Sequence, residues 1–251
     1  TLNVDELGDA SPNSMTLTAT TLTGLGMSDG IVYGTLEQLN IDLGAGGNTV
    51  NLQSTIATTS IDSGTGADEI TVGSLAPALG GTVNALAGAL TLDGQGGNDR
   101  TYVDDTGDTT GNSGTLTATT LTGLGTAGIT YANLEVLEIS LGSGNDAFSV
   151  NGTMKQASFQ TLTLLNAGAG GDQVTVTLSA ASDGFLSVNL EGGDDSLAGQ
   201  GGNDTLVGGT GSDYLGGGAG DDLYILAAGD GKNWDTIEDE SGDDTLSVSG
   251  I

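Results

Sequence analysis

The sequence contains no cysteine and no histidine. Disulfides, thiolate or imidazole zinc sites, cysteine nucleophiles and histidine-dependent triads are thereby excluded together. Basic residues are nearly absent: Arg100, Lys155 and Lys232 stand against 33 Asp and Glu, a formal net charge of −30. Phosphate backbones need clustered Lys and Arg, so nucleic acid is excluded as a partner. Aromatic residues make up 4% and proline occurs twice, which leaves few large side chains for a core. No apolar run approaches the roughly 18 residues of a membrane span, so no membrane insertion is expected. The chain opens at Thr1 without a basic region followed by an apolar segment. Either a leader has been removed, or the sequence is a piece of a longer chain, or export uses another signal.

What is present is glycine, at 46 of 251 positions, with Thr, Ser, Asp and Asn filling much of the rest. High charge with little apolar content commonly means disorder or an acidic tail. Here the acidic residues are not in long runs: the recurring ones sit at fixed offsets after glycines, between segments where apolar residues alternate with Thr and Ser. Such patterning asks for cations, and calcium, which takes only oxygen ligands, is the metal this composition leaves open.

The C-terminal third reads LEGGDDSLA, GQGGNDTLV, GGTGSDYLG and GGAGDDLYI over residues 190–225. Asp195, Asp204, Asp213 and Asp222 are each nine apart, and Leu197, Leu206, Leu215 and Tyr224 follow two residues after each. This is the nonapeptide G-G-x-G-x-D-x-U-x. Its glycines allow a tight turn that aims carbonyl oxygens inward, its Asp adds a carboxylate, and x-U-x is a short strand with one core residue. Two nonapeptides therefore make one coil. An ion between stacked turns receives carboxylate and carbonyl oxygens from both.

Upstream the same corner recurs at wider spacing, as LGAGGN (43–48), SGTGAD (63–68), GQGGND (94–99), LGSGND (141–146) and AGAGGD (167–172), each leading into an alternating run. Strand, corner and strand read as larger coils of one solenoid, with Asp68, Asp99, Asp146 and Asp172 as further calcium ligands. Asn48 replaces the Asp in the first corner, so that corner is not counted as a site. A longer duplication overlays the corners: TLTATTLTGLG occurs at 16–26 and 115–125, and LEQLNIDLGAG (36–46) matches LEVLEISLGSG (134–144). The expected organisation is a first solenoid module over 1–100, a duplicated module over 101–189 and the nonapeptide block with C-terminal strands over 190–251. DESGD at 239–243 reads as a truncated further start.

These residues resemble the repeats-in-toxin (RTX) family, secreted bacterial proteins whose nonapeptides bind calcium in a parallel β-roll. The resemblance is specific from about 190 to 248 and looser over 1–189, toward the Thr- and Gly-rich calcium-binding repeats of large bacterial surface proteins, adhesins and surface-layer proteins. It implies type I export and folding outside the cell. Carried over position by position, it implies carboxylate ligands at Asp195, Asp204, Asp213 and Asp222, with Asp235 and Asp244 in the Asp-Thr-Ile and Asp-Thr-Leu segments that follow. The turn glycines would be Gly193, Gly202, Gly208, Gly209, Gly211, Gly217, Gly218 and Gly220.

The fold expected is all-β, a parallel β-solenoid continuing into a calcium-binding β-roll. The clusters Asp5-Glu6-Asp9 and Asp104-Asp105-Asp108 read either as further ion sites or as solvated loops, and the Thr-rich stretch as a simple strand face. No enzymatic activity is expected, since without His all acid-base work would fall to carboxylates and Arg100 alone makes a thin active site. The function expected is an extracellular structural task, as a segment of a surface filament, surface layer or adhesin that self-associates head to tail. The alternatives are a folding and export module of a secreted protease, lipase or alginate epimerase, and an ice-binding solenoid.

Overall fold

Period-two alternation places one face of each segment inward, and the glycine-rich stretches between segments supply turns too tight for other residues. The computed structural model describes residues 1–156, 161–178, 183–200, 203–227 and 234–249, and among these all regular structure is β. No helix of the described residues is long and apolar enough to cross a membrane.

The strands are β1 (Leu2–Asp5), β2 (Ser14–Leu17), β3 (Thr21–Gly24), β4 (Ile31–Val32), β5 (Gln38–Asp42), β6 (Thr49–Leu52), β7 (Thr58–Asp62) and β8 (Glu69–Val72). They continue as β9 (Leu90–Asp93), β10 (Arg100–Asp104), β11 (Ser113–Leu116), β12 (Thr120–Gly123), β13 (Ile129–Ala132), β14 (Val136–Ser140), β15 (Ala147–Val150) and β16 (Leu162–Asn166). The last are β17 (Gln173–Val176), β18 (Phe185–Asn189), β19 (Ser196–Ala198), β20 (Thr205–Val207), β21 (Tyr214–Gly216), β22 (Leu223–Ala227), β23 (Thr236–Glu238) and β24 (Thr245–Ser249).

Two compact units divide the chain, one of Thr1–Gly107 with Thr119–Glu138, the other of Asp108–Ala118 with Ile139–Ile251. In the first, one sheet is ordered β1-β5-β7-β9-β13-β12 and the other β10-β8-β6-β2-β3-β4. In the second, one sheet is ordered β11-β15-β17-β19-β21-β23 and the other includes β24-β22-β20-β18-β16. Outside β2–β4 and β11–β13, successive strands go to opposite sheets, and strands two places apart pair in parallel, which is the winding of a solenoid. Inward residues stack in columns, such as Leu17, Leu52, Val72 and Val103 in the first unit and Phe148, Val174, Leu197 and Leu215 in the second, all buried.

Coil length varies with the sequence between corners. Thr49 pairs with Glu69, whereas in the nonapeptide block Ser196 pairs with Tyr214 and Thr205 with Leu223, each 18 residues on. Two nonapeptides per coil is therefore the observed arrangement.

The Thr-rich stretch departs from a simple strand face. Residues 14–24 fold as an antiparallel hairpin, with Met15 opposite Gly24 and Leu17 opposite Leu22, and β4 pairs antiparallel with β3. Thr18 turns the chain: its N–H donates to the Thr21 carbonyl (2.9 Å), and its Oγ1 accepts the Thr21 N–H (3.0 Å). In the second copy β12 pairs antiparallel with β13, and Leu124 adopts the same left-handed conformation as Leu25, with φ of 51° and 53°. A non-glycine residue rarely takes that conformation, so its repetition marks the duplicated hairpin end.

Candidate metal centre

Each corner ends on a polar residue immediately before a strand, and these residues are tied from coil to coil. In the first unit the N–H of Asn13 donates to Asn48 Oδ1 (3.0 Å), that of Asn48 to Asp68 Oδ1 (2.6 Å), and that of Asp68 to Asp99 Oδ1 (2.8 Å). The N–H of Asp99 then donates to Glu135 Oε2 (2.7 Å). In the second unit the same bond runs from Asn112 to Asp146 (2.7 Å), Asp146 to Asp172 (2.8 Å), Asp172 to Asp195 (2.7 Å), Asp195 to Asp213 (3.0 Å) and Asp213 to Asp235 (3.1 Å). A further row, Asp204 to Asp222 (2.8 Å) and Asp222 to Asp244 (3.0 Å), heads the strands of the other sheet in the nonapeptide block. The carboxylates therefore do not cap their own turns; each accepts from a corner one coil away, by 18–36 residues.

That bond uses one oxygen of each Asp. The second, Oδ2, of Asp99, Asp146, Asp172, Asp195, Asp204 and Asp222 is buried without a hydrogen-bond partner among the described residues. An unpaired buried carboxylate oxygen costs several kcal/mol of lost solvation, on the order of what only a bound cation or proton returns. Asn48 is the internal reference. It occupies the same ladder position, and its Nδ2 donates to the carbonyls of Gly44 (3.2 Å) and Ser63 (2.8 Å). Where Asn carries its own positive hydrogens to the corner carbonyls, Asp at the same ladder position has a second carboxylate oxygen instead. Carboxylate and carbonyl oxygens without nitrogen or sulfur form the donor set of calcium.

Glycine makes room for this oxygen. A Cβ placed on Gly94, Gly199 or Gly208 would stand 2.7 Å from Oδ2 of Asp99, Asp204 or Asp213, and Gly217 is still closer to Asp222. Gly209 and Gly218 take φ of 91° and 93°, and Gly193, Gly211 and Gly220 take 137°, 141° and 140°. Side chains at Gly193, Gly209, Gly211 or Gly218 would overlap a carbonyl of the stacked corner before it. Gly202 lies outside the described residues.

Burial is the first cause that raises the carboxyl groups. It lifts Asp99 to about 7, with Asp68 and Glu135 adding like charge, and Asp195 to about 7, with Asp172 and Asp213 adding theirs. Asp204 reaches about 7 through burial and then Asp222, and Asp172 about 6 through burial and then Asp146. Among the charged partners named, none is a cation.

Several residues stand apart from the sequence-based reading. Asp104 and Asp105 are buried turn caps: Asp104 accepts the N–H of Gly81 (2.8 Å) and the N–H and hydroxyl of Thr106, and Asp105 accepts the N–H of Val83 (3.0 Å). They are buried rather than solvated. Asp9 and Asp108 hold Asn13 and Asn112 through their side-chain amides (3.2 Å each), fixing the residues that start both long ladders. Glu135 was not legible as a ladder member, since the residues before it, Tyr131-Ala132-Asn133-Leu134, contain no glycine. Its one signal is a carboxylate directly before an alternating strand.

Residues 191–224 match the family model of the RTX calcium-binding nonapeptide repeat, in four copies. The block is an RTX calcium-binding β-roll. Calcium is thus the cofactor of the RTX block, and the corners upstream of it carry the same coil-to-coil carboxylate bond. Searches of curated proteins and of solved structures returned no significant match to the chain.

The contrast between Asp and Asn gives a direct prediction. Asn48→Asp exchanges the Nδ2 that holds Gly44 and Ser63 for an oxygen, and is expected to add about one calcium ion to the titrated total. Asp213→Ala is expected to remove at least about one. Calorimetric titration of both variants against the parent chain reads the difference. Equal calcium content in all three would show that the ladder positions do not bind the ion.

Proposed function

We propose that the chain is an extracellular structural segment of a surface filament, surface layer or adhesin, stiffened along its coils by calcium and carrying no catalytic site. RTX repeat proteins are typically exported by type I secretion, which fits a chain that would meet calcium only outside the cell. The observation that carries the reading is the extent of the ladders: buried, unpaired carboxylate oxygens occur at Asp99, Asp146 and Asp172, well before the repeat block. An export tag needs only the block, whereas a load-bearing rod needs the cation row along its length.

The exposed face of β23 and β24 supports stacking of a further coil, of this chain or of another copy. Leu215 pairs with Ile237 and Tyr224 with Leu246, so two buried columns run on into residues that are 36% and 55% exposed. A following coil would cover them and would pair the open edges of β23 and β24. Association into filaments in millimolar calcium, and dissociation on chelation, is therefore expected by electron microscopy and light scattering of the purified chain. A calcium-saturated, folded monomer at high concentration would overturn the filament reading and favour the export module.

A further inference from the structure

Asp239 belongs to no matched repeat and to no ladder. It follows β23 and opens a corner, Asp239-Glu240-Ser241-Gly242-Asp243-Asp244, that stacks directly on the corner of residues 217–222. The stacking is tight: the N–H groups of Glu240 (2.9 Å) and Ser241 (3.0 Å) donate to the Gly218 carbonyl, and the Gly220 N–H donates to Ser241 (2.9 Å). The position five residues before the terminal Asp is glycine in the corners of Asp204, Asp213 and Asp222, and aspartate here. A carboxylate thus enters where the RTX block has no side chain.

It meets two others. Asp222, Asp239 and Asp244 each offer a carboxylate oxygen, and these three lie within 4.8 Å of one another. Asp222 is 2% exposed, and its Oδ2 is one of the buried atoms without a hydrogen-bond partner. Three negative groups at that distance, one of them desolvated, need a counter-charge, and among the described residues from Glu191 to Ser249 there is no Lys or Arg to supply it. Tyr224 orients the third carboxylate. It stands where the preceding repeats have leucine, is buried, accepts the Gly217 N–H (2.9 Å) and donates its hydroxyl to Asp239 Oδ1 (2.8 Å).

The geometry points to a cation site of carboxylates from Asp222, Asp239 and Asp244, which takes a divalent hard ion such as calcium and clamps the corner of residues 239–244, with β23 and β24, onto the RTX block. Tyr224 is its positioning residue. The inference rests on calcium loading of the ladders and deepens it: Asp222 and Asp244 are already neighbours in one ladder row, and Asp239 brings a third carboxylate to that position. Where each of the block's corners ends on one such Asp, this corner brings two, Asp239 and Asp244, so that with Asp222 three carboxylates meet, and the higher charge density favours tight binding and small exchange rates for a di- or trivalent ion.

Terbium is the probe, because a tyrosine hydrogen-bonded to a ligand excites a lanthanide held beside it. The full chain is expected to show tyrosine-excited terbium emission that calcium displaces. Asp239→Asn keeps an acceptor for Tyr224 and is expected to lose about one bound calcium, most of that emission, and the resistance of residues 239–249 to limited proteolysis. Tyr224→Leu restores the residue of the preceding repeats, so the fold is kept; it is expected to retain terbium while losing the sensitised emission. Tyr224→Phe keeps the ring and loses the hydrogen bond, with affinity at this one site falling roughly tenfold. Identical calcium counts and emission in the parent chain and Asp239→Asn would overturn the site while leaving the ladders intact. A parent chain that binds no calcium at all would instead overturn the reading on which it rests.

Discussion

Stripping calcium from the chain is expected to abolish most of its β circular dichroism and to convert a cooperative thermal transition into a featureless one. Carboxylates at successive corners are held one strand spacing apart, about 4.8 Å. Each such pair repels by roughly 1 kcal/mol even at the dielectric of water and by more when buried, and no cation among the residues tied to the ladders offsets it. The loss should be greatest in the RTX block. Between Asp195 and Asp213 the buried apolar side chains are Leu197 and Leu206, whereas between Asn48 and Asp68 they are Val50, Leu52, Ala57 and Ile61. Since coil ordering costs about 1–2 kcal/mol of backbone entropy per residue, the coil with fewer apolar contacts depends more on the ion. Hydrogen exchange in chelator is therefore expected to show amides of β19–β22 at the unfolded rate, with residual protection in β5–β8 of the first unit. An unchanged spectrum after complete removal of calcium would overturn the coupling of folding to metal.

The coil plan was legible because it is written at a fixed period. Four nonapeptides in phase gave the 18-residue coil, and each G-x-G corner between alternating runs located a turn between strands of opposite sheets. What escaped the sequence lies where geometry comes from contacts distant along the chain. The hairpin of β2 and β3 depends on a turn set by the Thr18 hydroxyl, which alternation alone does not distinguish from a continuous strand. Burial of Asp104 and Asp105 follows from loop 79–83 folding over them, more than 20 residues away. The link between coils is a carboxylate bond to the backbone of another corner. Its register is fixed only once coil lengths are known, so Asn13, Asn112 and Glu135 were invisible as ladder members. Asp239 is the sharpest case. In sequence it stands between Glu238 and Glu240, and only stacking on the corner of residues 217–222 sets it beside Asp222.

The dependence on pH should have opposite signs with and without calcium. In the calcium-free folded chain Asp99, Asp195 and Asp204 hold their protons to about 7 and Asp172 to about 6, chiefly through burial and secondarily through neighbouring carboxylates. Unfolded, the same groups titrate near 3.9. Between those values the folded state binds more protons than the unfolded one, so its stability falls as pH rises from about 4 to about 7 and is lowest above 7. A metal-free sample is therefore expected to gain β structure when acidified from pH 7.5 toward 5, the reverse of ordinary acid denaturation. Calcium takes the place of those protons, so its affinity should climb through the same interval and its binding should release protons. In unbuffered solution at pH 5, where the metal-free chain is folded with these carboxyls protonated, added calcium is expected to acidify the medium; at pH 9, where the carboxyls are ionised in either state, calcium uptake should proceed without that release. Circular dichroism in metal-free and calcium-saturated samples, with pH-stat titration alongside, measures both slopes. A metal-free chain that becomes more ordered as pH rises from 5 to 8, or calcium uptake at pH 5 by the folded metal-free chain that releases no protons, would show that the buried carboxylates are not the groups the ion neutralises.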